Sequence, residues 1–333
     1  MAKLRRGKFP RDIEILREEI RPLLPAEAFV PQRSLLFNYL IVWLINIALV
    51  AVIFSGAELI WRSVASVTLG LSMTYTLFFT HIFIHGQVVQ TVFWQKLLGW
   101  PCVYYGFISP TFWAHWHRLH HRFGTLDENV SGFQTINWIK SSWVKKIVHA
   151  IRPNQRNGES FLYLFFWKPV AFSVNQLFVF LQPRFPKYVN RSFVFLELGT
   201  LAAIHVSIWW LCSWESIVLI EIVPWVIQNF ISSAYVVTNH HPMLIGQGMT
   251  FRNTCTVHMN SPLIDSLVLN IGYHVEHHIF PEISPRYLPK VSKILEQRYP
   301  DEYKKVHLFS ALRAIFWSSY VVEPQRFSKN TKI

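Results

Sequence analysis

Fifteen histidines stand in this chain of 333 residues, and most of them are grouped. His81 and His85 form H-x-x-x-H in HIFIH. One helical turn separates them, so both rings leave the same face. His117, His120 and His121 form H-x-x-H-H in HWHRLHH, and His274, His277 and His278 repeat that spacing in HVEHH. Positions i, i+3 and i+4 of a helix share a face, so each cluster is expected to direct three imidazoles towards one point. His240, in TNHHPM, lies where an apolar stretch ends. Neutral imidazole suits zinc, copper, iron and nickel. Nine such ligands exceed what one ion can use, so two metals are expected. A single H-x-x-x-H on an apolar helix is more often incidental. Two further boxes of matching spacing make that reading untenable for the set.

These boxes must be carried by particular elements. Four apolar stretches, roughly 35–57, 63–84, 194–214 and 216–238, have about the 20 residues that cross a hydrocarbon core of about 30 Å. Only Glu58 to Arg62 separates the first two, and only the neighbourhood of Trp214 and Glu215 the last two, so each pair reads as a tight hairpin. Residues 1–34, 86–192 and those from 239 onward should then face one side. Of the 32 lysines and arginines, all but Arg62 fall in these segments. Basic residues near spans gather on the cytoplasmic face, so that side is expected to be cytoplasmic, with both termini and all nine histidines on it. Two more apolar stretches, 92–116 with Pro101 and Pro110 and 161–182 with Lys168-Pro169, are interrupted and read as interfacial or re-entrant. The expected architecture is an all-α polytopic membrane protein, with four transmembrane helices in two hairpins and a cytoplasmic helical cap carrying the boxes. Residues 1–34 read as a basic cytoplasmic arm, 35–310 as the membrane domain and 311–333 as a cytoplasmic tail.

Composition agrees with a bilayer. The chain is 51% hydrophobic, 16% aromatic and only 15% charged, which is too apolar for an ordinary soluble protein. Its net charge of +13 forms no basic stripe apart from the apolar runs, so no nucleic-acid partner is expected. Cys102, Cys212 and Cys255 are widely spaced and give neither a disulfide framework nor a zinc or iron–sulfur signature. The basic N-terminus leads into charged residues rather than the apolar core of a signal peptide.

The boxes HIFIH, HRLHH and HVEHH, their order, the hairpin topology and the run HHIFPEISPRYLPKV resemble the membrane fatty acid desaturase family, which includes lipid hydroxylases and carotenoid ketolases. The resemblance covers about residues 35–310. It implies two non-haem irons, O₂ as co-substrate and a lipid acyl substrate, either an acyl lipid or an acyl thioester. It also implies one extra ligand at the end of the fourth span, a role carried to His240 with His241 as its competitor. Where some members place an asparagine four residues earlier to hold a metal-bound water, this chain has Val236. Asn239 and Asn270 are the candidate substitutes. Glu276, inside the third box, is the candidate orienter of an imidazole, since metal-bound histidines usually donate their second N–H. The last box begins with histidine where front-end desaturases carry glutamine, which argues against that subclass.

No catalytic residue beyond the metal centre is expected. No haem, flavin or iron–sulfur signature is seen, so electrons are expected from a separate protein of the cytochrome b5 or ferredoxin type, at the endoplasmic reticulum or a bacterial inner membrane. The competing readings are a hydroxylase, sphingolipid desaturase or carotenoid ketolase on the same scaffold, a zinc-dependent membrane hydrolase with a single open-site metal, and a metal transporter, which would place its ligands at the membrane midplane. His115 is out of register with its box, and His149, His258 and His307 carry no pattern. His205 reads as a neutral imidazole packed without a polar neighbour, and Glu197 and Glu221 as span-end residues reached by water or headgroups.

Overall fold

The computed structural model describes residues 11–123, 142–143, 189–240 and 254–317, which are mostly helical. Helix α1 (Arg11–Ile20) precedes α2 (Ser34–Ile53) and α3 (Leu59–Ile84). Two shorter helices follow, α4 (Val92–Gly99) and α5 (Pro110–Phe123). Then come α6 (Arg191–Leu211) and α7, which runs unbroken through Trp214–Ile217, a π-helical turn at Val218–Ile222, and Val223–His240. The last described part holds strand β1 (Thr256–His258), α8 (Pro262–Leu267), α9 (His274–Ile279), α10 (Leu288–Arg298), strand β2 (Lys305–His307) and α11 (Leu308–Trp317).

Four of these helices, α2, α3, α6 and α7, are long and apolar enough to cross a membrane. They divide into an inner and an outer pair. Only Tyr39, Asn46 and Ile53 of α2 are buried, and only Val194, Glu197 and Leu201 of α6, so most of both surfaces is left for lipid. Helices α3 and α7 pack closely on one another. Gly70 permits this approach, because a Cβ there would lie 2.8 Å from Ile227 Cβ and 3.0 Å from Pro224 Cα. Small residues at such crossings let membrane helices meet without a hydrophobic driving force.

Arg62 joins the two hairpin turns. Its Nε donates to Ile53 O at 2.7 Å and its guanidinium pairs with Glu215, so both turns lie at one end of the bundle. At the other end α3 overshoots. Its 26 residues span about 39 Å, beyond a core of about 30 Å, and the excess carries the first histidine pair.

The interrupted stretch 92–116 forms no single long helix but two shorter ones joined by a turn. Helix α4 packs on α3, Thr80 Oγ1 donates to Gly99 O at 3.1 Å, and Tyr39 OH donates to Leu98 O at 2.7 Å. The chain then dips into the bundle, where the Tyr104 hydroxyl bonds Glu221 and the Tyr105 hydroxyl bonds Ile220 O on α7. It returns as α5. The other interrupted stretch, 161–182, lies outside the described residues, as does His149.

The cap has its own core, in which Leu16 and Ile20 of α1 meet Val275 and Ile279 of α9 and Val291 and Leu295 of α10. Arg17 Nη1 donates to Ile279 O at 2.6 Å, and the guanidinium also pairs with Glu282. Helix α1 is therefore packed on the helix of the third box. Strands β1 and β2 pair in parallel, with Val257 opposite Val306, and α11 leans on α7.

Candidate metal centre

Three helices deliver the box histidines. His81 is on the last turn of α3 and His85 is its C-cap residue. Helix α5 opens on a firm N-terminus: Ser109 Oγ accepts the Phe112 N–H at 3.0 Å, the side-chain cap expected of serine, and Pro110 takes the first helical position. Helix α9 is only six residues long, and all six are buried. It is pressed against β1, since Val257 N donates to Gly272 O at 2.8 Å and a Cβ on Gly272 would come within 2.1 Å of Val257 O.

These helices bring eight imidazoles into two adjoining groups, each able to hold a metal ion. His81, His85, His117, His121 and His277 form one, and His120, His274 and His278 the other. In the first, His121 Nε2 lies 3.0 Å from both His117 Nε2 and His277 Nε2. In the second, His278 Nε2 lies 3.1 Å from His274 Nε2. The groups touch, with the rings of His121 and His278 centred 4.5 Å apart.

The expectation that each H-x-x-H-H cluster converges on one point is corrected here. In α5 the i and i+4 rings, His117 and His121, go to the five-membered group while His120 goes to the other; in α9 His274 and His278 pair and His277 crosses over. Positions i and i+4 are about 40° apart around a helix whereas i+3 lies about 60° to the other side of i. When two such helices face each other, that divergence separates the rings between two centres.

The donors suit a cation. Each neutral imidazole offers one N–H and one lone pair, so three Nε2 atoms meeting at 3.0 Å cannot all be satisfied by sharing protons. Nitrogens bonded at right angles to a metal at about 2.1 Å would be about 3.0 Å apart. His81 Nδ1, His85 Nε2 and His121 Nδ1 are buried without a hydrogen-bond partner. Burial, reinforced by neighbouring rings, holds His85, His117, His121 and His277 well below the ordinary imidazole range. They are neutral, which is the ligating form.

Glu276 has a different role from the one expected. Its carboxylate accepts Thr256 Oγ1 at 2.6 Å and the Tyr303 hydroxyl, with no bond to a ring. It stands about 200° around α9 from His274, on the face turned from the rings, and so ties the helix to β1 and the 299–304 turn. Burial pushes its carboxyl up to about 7. Asn270 is likewise structural: it adopts a left-handed backbone with φ 53° and donates Nδ2 to Pro285 O at 3.0 Å. Asn239 is buried, and its Oδ1 has no hydrogen-bond partner among the described residues. His240 closes α7, but its side chain and all of His241 lie outside the described residues.

Three readings away from the boxes are also corrected. His205 has a polar neighbour: its Nδ1 lies 3.0 Å from Glu221 Oε2 and its ring stacks on Tyr104 at 4.2 Å. Glu221 is 5% exposed and Glu197 6%, so neither is a water-reached span end. Glu197 accepts from Ser109 Oγ, Thr111 N at 3.1 Å and Thr111 Oγ1 at 2.7 Å. His115 is buried but belongs to neither group, and His258 and His307 face each other across β1 and β2 with rings 6.0 Å apart.

In a comparison with curated proteins none matches the chain. The family model described as fatty acid desaturase matches residues 58–310, the stretch from the first hairpin turn through both H-x-x-H-H helices. With two histidine groups that could hold metal ions inside that match, the chain belongs to the fatty acid desaturase family.

Proposed function

We propose that this protein is an O₂-dependent desaturase of a lipid acyl chain, holding two non-haem irons between α3, α5 and α9 on the cytoplasmic side of the membrane. The observation that carries this reading is the division of eight imidazoles, six of them buried and two half-buried, into two touching groups. A single zinc of a hydrolase would use three or four of them and leave the rest buried without purpose. The irons would supply the oxidant that removes hydrogen from an unactivated methylene; the protein orients the chain and keeps competing reactions away.

His240 is assigned to the three-membered group. Cys255 N donates to Asn239 O at 2.9 Å, and the neighbouring Thr256 bonds Glu276 of α9, so the end of α7 is tied to the pedestal of the third box. Electrons arrive from a separate protein of the cytochrome b5 or ferredoxin type.

The test is lipid profiling of cells expressing the protein, together with metal analysis of purified protein. New double bonds that vanish in His121→Ala, and close to two irons per chain, are the expected results. Hydroxylated products would move the chain to the hydroxylase branch. One zinc per chain with retained activity would overturn the di-iron reading.

A further inference from the structure

We propose that Glu197 is a positioning residue of the metal centre: from α6 it fixes the start of α5 and thereby the height and rotation at which His117, His120 and His121 are presented. The proposal rests on the reading of these histidines as metal ligands. Glu197 stands on a helix otherwise given over to lipid, where a carboxylate is costly unless it is bonded. It is fully engaged, taking the Thr111 N–H at 3.1 Å, the Thr111 hydroxyl at 2.7 Å and the Ser109 hydroxyl. These are the cap and first turn of α5. The Phe112 N–H goes to Ser109, so Glu197 and Ser109 together satisfy two of the donors that a helix start leaves open. The charge of Glu197 also opposes the positive end of the helix dipole.

The consequence is mechanical. Phe112 and Trp116 of α5 pack on Val194 and Leu198 of α6, but such apolar contacts have no hydrophobic driving force in lipid and no fixed direction, so the directional polar bonds set the register at which α6 holds α5. From Thr111 to His117 is six residues, about 9 Å of rigid helix. A displacement at the cap is passed to the rings, where ligand geometry tolerates only about 0.5 Å and 10–20°. The second polar contact of α6, His205 with Glu221 and Tyr104, holds the other end of the same re-entrant segment.

The test compares iron-loaded protein in detergent for wild type, Glu197→Ala, Glu197→Gln and Thr111→Val, with Ser207→Ala on the exposed face of α6 as control. Glu197→Ala is expected to hold metal about 10–100-fold more weakly and to change the Mössbauer signature of what remains. Thr111→Val, which keeps its N–H, should show a smaller change in the same direction. Glu197→Gln, which keeps an acceptor oxygen, should lie between wild type and Glu197→Ala, and Ser207→Ala should match wild type. Hydrogen exchange at amides 111–117 of metal-free protein should quicken in Glu197→Ala. Wild-type metal content and signature in Glu197→Ala would overturn the proposal, as would loss of folded protein with the survivors keeping the wild-type signature. Should Glu197→Ala fail to accumulate, Glu197→Gln and Thr111→Val decide by the same criteria. A wild type that binds no iron would sink the di-iron reading, whereas unchanged exchange in Glu197→Ala, beside a wild type that does bind iron, would sink only the role of Glu197.

Discussion

His121 and His277 stand 156 residues apart in the chain, and their Nε2 atoms are 3.0 Å apart in the folded protein. That contact joins α5 to α9 at the five-membered group, while His120 and His278 of the same two helices face each other in the other group with ring centres 4.9 Å apart. The two helices thus meet at two places through rings that could hold a cation between them. Removing a ring should affect one place before the other. His278→Ala is expected to lower iron to about one per chain, because three rings cannot spare one, whereas His85→Ala in the five-ring group should weaken binding with a smaller loss of content. Both should abolish product. Iron analysis of the two variants checks this, and equal loss of both irons in each would speak against two separable groups.

Topology gives the next prediction. Arg62 pairs with Glu215 across the two hairpin turns, which places those turns together at the end of the bundle away from the boxes. Tags at the two termini should therefore report the same side of the membrane, and a tag in the turn at Gly56 should report the opposite one. Protease protection of sealed vesicles reads all three. Opposite sides for the termini would mean that 161–182 crosses.

The four apolar helices and the boxes were legible because their signals are local. Twenty apolar residues bounded by short polar turns need no partner to be recognised, and histidines four apart share a face in any helix. What could not be read is set by distant partners. Glu197 meets Ser109 and Thr111 from 88 and 86 residues away, and Glu221 meets Tyr104 across 117. Without those partners both acids read as span-end residues. The split of each H-x-x-H-H between two centres was hidden for a related reason: a single helix shows only that its rings share a face, and a second helix opposite decides where each one goes.

The Glu276 pedestal yields a stability prediction. Tyr303 OH bonds both Glu276 and Ser292 Oγ, the latter at 2.7 Å, inside a fully buried site. Tyr303→Phe leaves a buried carboxylate short of a donor, a loss of about 1–3 kcal/mol. Thermal unfolding of the metal-free protein should report it. Turnover should fall only in part, since no ring loses a bond. Unchanged stability would show that Thr256 alone suffices.

Gly272 tests the same junction from the backbone side. A Cβ there would lie 2.1 Å from Val257 O, and backbone on both sides prevents cheap relief. Gly272→Ala is therefore expected to shift α9 off β1 and to reduce both metal retention and activity by at least about 10-fold, the scale of losses at groups that support ligands. Metal content measured on folded protein gives the answer, and wild-type retention would mean that the turn absorbs the methyl.

The last prediction concerns the ligand that completes the smaller group. His120, His274 and His278 make three, and α7 ends on His240 beside Asn239, whose carbonyl is held by Cys255 and by Thr254 Oγ1 at 3.1 Å. That double tie makes the end of α7 a fixed point, suited to presenting a ligand. His240→Ala should abolish product formation and lower iron at the three-ring group while protein remains in the membrane. His241→Ala should retain turnover. The reverse pattern would assign the role to His241. Wild-type activity in both would detach this segment from the metal, and the three-ring group would then have to work with an open position filled by solvent.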